Sequence, residues 1–247
     1  IFKHTLRMVR HIDHPEFDGE LYLQSCGPAE YQKLLKLFPK NISGKCPAVA
    51  VPFYHPDGMV GVDLETGIDL PKMKDIAIAL DLTRRGFITA VADAYPFHFN
   101  EGDPEISGDS FFCHFDRYND FGKWQTAGEK LMMKYPEWTG IGKLVADTIL
   151  LVDSLCEDSR VDISRIGIAG HSLGGKMAFY TGCLDNRINA ILASDFGIGW
   201  EQTNWNDIWY WGEKLEDLKK MRMDHSQLLS IAAPKPFMLI AGLYDNM

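Results

Sequence analysis

Gly167-Ile168-Ala169-Gly170-His171-Ser172-Leu173-Gly174-Gly175 decides how this 247-residue chain is read. The stretch holds G-x-S-x-G between an apolar run, Arg165-Ile166-Gly167-Ile168-Ala169, and a helical segment from Leu173 to Tyr180 that Gly182 is expected to stop. The spacing has a mechanical cause. A serine on a tight strand-to-helix turn sits in a strained backbone conformation, and the residues two before and two after it are forced together. Gly170 and Gly174 lack the Cβ atoms that would collide, and Gly175 lets the helix pack near the strand. Such a turn lifts the Ser172 hydroxyl above a sheet and aims the Leu173 N–H, at the helix start, at a developing oxyanion. Ser172 is the candidate nucleophile and Leu173 a candidate oxyanion donor.

The same glycines admit other readings. Gly170 to Lys176 fits the phosphate-loop pattern G-x-x-x-x-G-K, and Ile191-Leu192-Ala193-Ser194-Asp195 looks like an apolar strand ending in a magnesium-binding Asp. Met177, however, stands where a Ser or Thr hydroxyl binds the metal, and a thioether is a poor ligand for that hard ion. A dinucleotide site would put Asp195 on a ribose, but the G-x-G start that lets a pyrophosphate approach is missing. A glycine-rich structural turn with Ser172 as a bystander is the third alternative.

Working outward, short apolar runs alternate with amphipathic helices from about residue 47, which predicts a mainly parallel sheet covered on both faces. Strands are expected from Ala48 to about Tyr54, over Phe87–Ala92, Arg165–Ala169, Ile188–Ala193 and Pro236–Ala241. Helices are expected over Pro71–Arg85 and Gly140–Cys156, each with an apolar stripe at helical spacing. Residues 1–46, with alternating segments near Thr5–Ile12 and Glu20–Gln24, suggest antiparallel strands at the start of the sheet. Residues 95–139, rich in aromatics, Gly and Asp, read as an insertion over one end of the sheet rather than core. Residues 200–225, with Trp200, Trp205, Trp209 and Trp211, read as a second insertion walling a pocket, although tryptophan-rich packing explains them too. One domain, 1–247, is expected.

Composition narrows the function. Thirty-four Asp and Glu against 25 Lys and Arg give a net charge of −9, which argues against a nucleic-acid-binding surface. No apolar run approaches the roughly 18 residues of a membrane span. Five cysteines, Cys26, Cys46, Cys113, Cys156 and Cys183, form no C-x-x-C pair and read as buried thiols, with a Cys26–Cys46 bridge as the alternative. No histidine and carboxylate set has ligand spacing, so neither a metal nor another cofactor is expected. No compartment can be read from the residues, nor an oligomeric state.

A serine hydroxyl needs a base, and the base an orienting acid. Asp245, just after the last apolar strand in Ala241-Gly242-Leu243-Tyr244-Asp245, is the candidate acid, and Asp195 after the preceding strand is the runner-up. None of the eight histidines follows Asp245. His171 precedes the serine, so its side chain should diverge from the hydroxyl, and His225 is a weak substitute base. The base is therefore expected beyond residue 247, and a polypeptide ending there should have very low activity. The loop Tyr54-His55-Pro56-Asp57-Gly58 is where a second oxyanion donor belongs; Pro56 has no N–H, which leaves Asp57, with His55 shaping the loop.

Ile163-Ser164-Arg165-Ile166-Gly167-Ile168-Ala169-Gly170-His171-Ser172-Leu173-Gly174-Gly175 resembles the nucleophile region of dienelactone-hydrolase-like and acetyl-xylan-esterase-like α/β-hydrolases. Tyr135-Pro136-Glu137-Trp138-Thr139-Gly140 and Ala232-Ala233-Pro234-Lys235-Pro236-Phe237 are similar to the second branch. The resemblance implies an α/β-hydrolase fold, with a final strand and helix expected after residue 247. It also implies Ser172 as nucleophile, Asp245 as acid, and the backbone of Leu173 and Asp57 as oxyanion donors. The activity implied is that of a serine carboxylester hydrolase on an acetylated carbohydrate or another small ester. A non-catalytic binding protein of the same fold is the alternative, and a nucleotide-binding protein a more distant one. The chain departs from the pattern in reading His-Pro-Asp where His-Gly is commoner, and in carrying no histidine after the acid.

Overall fold

The computed structural model describes residues 4–26, 30–53, 55–64, 66–98 and 121–242. Three antiparallel strands come first: β1 (Leu6–His14), β2 (Phe17–Cys26) and β3 (Glu30–Pro39). β4 (Cys46–Ala50), β5 (Ile88–Ala92), β6 (Val161–His171), β7 (Ala190–Ser194) and β8 (Phe237–Ile240) follow. They form one eight-stranded sheet in the order β1-β2-β3-β5-β4-β6-β7-β8. β3 meets β5 antiparallel, and from β5 to β8 every neighbour is parallel.

At β4 and β5 both faces of the sheet are covered, and the strand period shows it. Ala48 and Ala50 of β4, with Ile88, Ala90 and Ala92 of β5, join one buried cluster, whereas Val49, Val51 and Val91 join another. Successive side chains point to opposite faces, so continuous apolar runs are what a doubly covered strand requires. The first cluster packs under α5 (Gly140–Cys156) and α6 (Leu173–Leu184). The second packs under α1 (Pro56–Val60) and α2 (Ile78–Arg84). The helix expected over Pro71–Arg85 is split: Pro71–Ile76 is a 3₁₀ turn, and Ala77, at φ −73° and ψ 53°, breaks it from α2.

Of the stretch 95–139, α3 (Tyr95–His98) and α4 (Phe121–Lys134) are described. The expectation that this stretch stands apart from the core needs correcting: Tyr95, Trp124, Ala127 and Leu131 are buried in the first cluster. Among the described residues, α7 (Lys214–Lys220) and α8 (His225–Ala232) are the last helices. Lys143 and Asp147, one turn apart on α5, are fully buried; the ammonium donates to the Asp147 carboxylate at 2.6 Å and to the Cys26 carbonyl at 2.8 Å. This ion pair ties the helix to the end of β2. No disulfide joins Cys26, Cys46, Cys156 and Cys183 to one another, so no Cys26–Cys46 bridge forms, and Cys113 lies outside the described residues. No described helix is long and apolar enough to cross a membrane.

Candidate active site

β6 ends at His171 and α6 begins at Leu173, with Ser172 alone between them at φ 53° and ψ −116°. A non-glycine residue in that region is strained, at about 1–3 kcal/mol, and persists only where its surroundings over-determine it. The surroundings are visible. The Ser172 N–H donates to the Ser194 carbonyl of β7 at 2.8 Å, and the Ser172 carbonyl accepts from the Lys176 N–H in the first turn of α6. A Cβ on Gly170 would lie 2.0 Å from the Gly174 carbonyl oxygen, and one on Gly174 would lie 2.1 Å from the Pro52 carbonyl oxygen. The turn closes only because both positions carry hydrogen. Leu173 is the first residue of α6, where a backbone N–H is not used by the helix's own ladder.

Asp245 lies outside the described residues. Asp195, the runner-up acid, sits one residue past β7 at φ 47°. Its carboxylate accepts from the Ser194 hydroxyl at 2.5 Å and from the Gly242 N–H at 2.7 Å, and it stands 3.4 Å from the His171 ring. His171 thus turns toward β7, with Nδ1 3.3 Å from the Ser194 hydroxyl. Asp57 is buried in α1, and its N–H donates to Nδ1 of His55, the residue that caps the helix, at 3.3 Å. The chain that abuts the turn is Pro52-Phe53, whose carbonyl and ring lie over Gly174.

His225 is 3% exposed and caged by Trp200 and Trp205, with ring centroids 4.0 and 4.6 Å away, and by Phe179 and Tyr180. The Ile198 carbonyl can only accept, so Nδ1 carries the proton and donates to it, and Nε2 accepts from the Tyr180 hydroxyl at 2.7 Å. Both nitrogens are occupied, so the ring serves packing and is not placed to act as a base. Burial pushes its pKa down to about 4 from 6.5. Between those two values the unfolded chain takes up a proton that the folded chain refuses, so stability falls as pH drops through that window and is unaffected above it. The full loss is about 3 kcal/mol. Urea midpoints at pH 7 and pH 4.5 check this: the drop is expected to be smaller in His225→Gln, and equal drops would refute it.

The tryptophan segment is mainly packing. Trp205 is fully buried and Trp209 nearly so. Lys176, buried on α6, points its ammonium at the faces of Trp205 and Tyr210, 4.9 and 4.6 Å from their centroids. Burial, offset only in part by Asp207, lowers its pKa to about 8. The phosphate-loop reading finds no cradle here, since the Pro52 carbonyl takes the space over Gly174 and Met177 is buried in the core. Among the described residues no three His, Cys, Asp or Glu side chains converge on a possible metal position.

Antiparallel strands leading into a parallel sheet, and a strained serine where β6 meets its helix, define the α/β-hydrolase fold. Comparison with known proteins agrees. The family model described as the prolyl oligopeptidase family matches residues 135–247. "Putative hydrolase YtaP" of Bacillus subtilis (strain 168) is 26% identical over 219 residues, covering 85% of this chain and 64% of that protein. A crystal structure described as a "putative acetyl xylan esterase" from Bacteroides fragilis NCTC 9343 superposes with a TM-score of 0.71 at 17% identity, over 97% of this chain and 63% of the other. A glucuronoyl esterase from Solibacter usitatus superposes at 0.65 with 17% identity, over 99% and 69%. The chain therefore spans a little under two thirds of the curated relative it matches.

Proposed function

We propose that this protein is a serine carboxylester hydrolase. The observation that carries the reading is the backbone of Ser172, a strained non-glycine residue between strand and helix, flanked by two glycines that admit no Cβ. In the reaction, Ser172 Oγ attacks the acyl carbon while a histidine takes its proton; in the superfamily's chain order that histidine follows the acid. The Leu173 N–H holds the oxyanion. The histidine then returns the proton to the departing alkoxide, and water, activated by the same histidine, releases the acid and regenerates Ser172. Asp57 joins as second donor only if its N–H leaves the His55 ring. Losing one such donor typically costs about 10²–10³ in turnover.

The substrate class we infer is a small ester, with acetylated carbohydrate as the leading candidate. The support is the likeness in fold to proteins described as acetyl xylan and glucuronoyl esterases. A non-catalytic binding role for the same fold is disfavoured by the strain at Ser172, which binding alone does not require. Release of acetate from acetylated xylo-oligosaccharides, set beside 4-nitrophenyl acetate and a glucuronate methyl ester, tests this in a polypeptide that continues past Met247. A preference for the acetylated sugar supports the substrate class. Turnover of 4-nitrophenyl acetate alone removes the carbohydrate, and no turnover of any ester removes the enzyme.

A further inference from the structure

Ser194 and Asp195 sit between the candidate nucleophile and the exit of β8, and bond to both. The Ser194 carbonyl accepts the Ser172 N–H at 2.8 Å, and the Ser194 hydroxyl lies 3.3 Å from His171 Nδ1. On the other side, the Asp195 N–H donates to the Ile240 carbonyl at 2.8 Å, and its carboxylate accepts the Gly242 N–H at 2.7 Å. The second carboxylate oxygen accepts the Ser194 hydroxyl at 2.5 Å. One carboxylate thereby joins the carboxyl ends of β6, β7 and β8. To do so Asp195 adopts φ 47°, a conformation that L residues visit rarely and Asp more readily than most. Gly242 is three residues before Asp245 in the chain.

We propose that Asp195 is a positioning residue for hydrolysis: its carboxylate fixes the chain leaving β8 against the turn that carries Ser172. It touches no substrate. Its effect is on where the segment carrying the acid begins relative to the nucleophile, a distance on which turnover depends steeply, since a displacement of about 1 Å can cost on the order of 10²-fold. This inference rests on the hydrolase reading above.

The test compares Asp195→Ala and Asp195→Asn in the full-length protein, reading kcat and KM for 4-nitrophenyl acetate and exchange of the Gly242 amide proton. An asparagine keeps an oxygen for the Gly242 N–H and an amide for the Ser194 hydroxyl, so it is expected to rescue. Asp195→Ala is expected to lower kcat by about 10- to 100-fold with KM little changed, and to lose protection at Gly242. Asp195→Asn is expected within about fivefold of the parent, with protection kept, as its retained acceptor implies. Equal and far larger losses in both variants, about 10⁴-fold, would make Asp195 the acid itself and overturn the positioning role. An alanine variant within twofold of the parent would overturn it too. If Asp195→Ala does not fold, Asp195→Asn decides alone, since near-parental kcat supports the latch and a 10⁴-fold loss sinks it. A parent without esterase activity would instead refute the hydrolase reading, so the two failures are told apart.

Discussion

Replacing Ser172 by alanine is expected to abolish ester hydrolysis, lowering kcat/KM by at least about 10⁴-fold, while leaving the folded protein as stable as before. The two halves of this expectation have different causes. Removing Oγ removes the atom proposed to form the acyl bond, and neither Leu173 nor any base can substitute for it. Alanine keeps the Cβ, so the strain of the φ 53° backbone is unchanged. Ser172→Gly separates the two effects. It is equally inactive, but it relieves a conformation that glycine alone adopts freely, and a gain of about 1 kcal/mol is expected. Initial rates and thermal midpoints on the three proteins check both. An alanine variant that keeps its activity, or a glycine variant that is destabilised, contradicts a strained nucleophile at this position.

Gly174→Ala is expected to damage fold and activity together. Its new Cβ would meet the Pro52 carbonyl oxygen at 2.1 Å and the Phe53 ring at 3.0 Å. Backbone on one side and a buried ring on the other cannot yield as the end of a lysine would, so either α6 or the Pro52 loop must move. Overpacking of this kind costs about 3 kcal/mol or more, which for a chain of this size lowers the midpoint by roughly 6–12 °C. The displaced loop lies against α6 two residues after the serine, so turnover is expected to fall about 100-fold even in the fraction that folds. Gly167→Ala, on β6, is the control. Its Cβ would meet the Ala190 carbonyl oxygen at 3.6 Å, an ordinary contact, and little change is expected. A mild Gly174→Ala, or a control as damaging, would mean that crowding at the turn is not what demands glycine.

The strand-to-helix turn was legible because its glycines answer a local steric demand. α5 was legible for a similar reason: Thr139 caps it, its hydroxyl accepting from the Gly142 N–H at 3.0 Å, and its apolar stripe is continuous. β3 was not. Glu30-Tyr31-Gln32-Lys33-Leu34-Leu35-Lys36-Leu37 spaces its apolar residues as a helix would, and its polar residues find partners only in the folded sheet. Gln32 donates to the Asp93 carbonyl, and Lys36 is buried against Asp158 at 3.1 Å. Gly182, expected to stop α6, lies within it, because a Cβ there would meet the Ile191 side chain at 2.6 Å. Glycine for close packing and glycine for termination look the same in one dimension.

The site itself divides along the same line. Ser172 and Leu173 follow from five contiguous residues. The roles of Asp195 and His225 depend on which strand ends and which rings meet in space. Asp195 drew attention as a strand-end carboxylate, but its bond to the Gly242 N–H crosses 47 positions. His225 stands in the polar stretch Asp224-His225-Ser226-Gln227, whereas its aromatic cage comes from Phe179, Tyr180, Trp200 and Trp205. Neither could be placed from spacing.

Covalent capture tests the central claim most directly. A polypeptide continuing past Met247 is treated with a fluorophosphonate, digested, and the modified peptide identified by mass spectrometry. An activated hydroxyl on the turn after β6 predicts one adduct, on Ser172, that ester substrate protects against. An adduct on another residue, or none while the protein is folded, contradicts it.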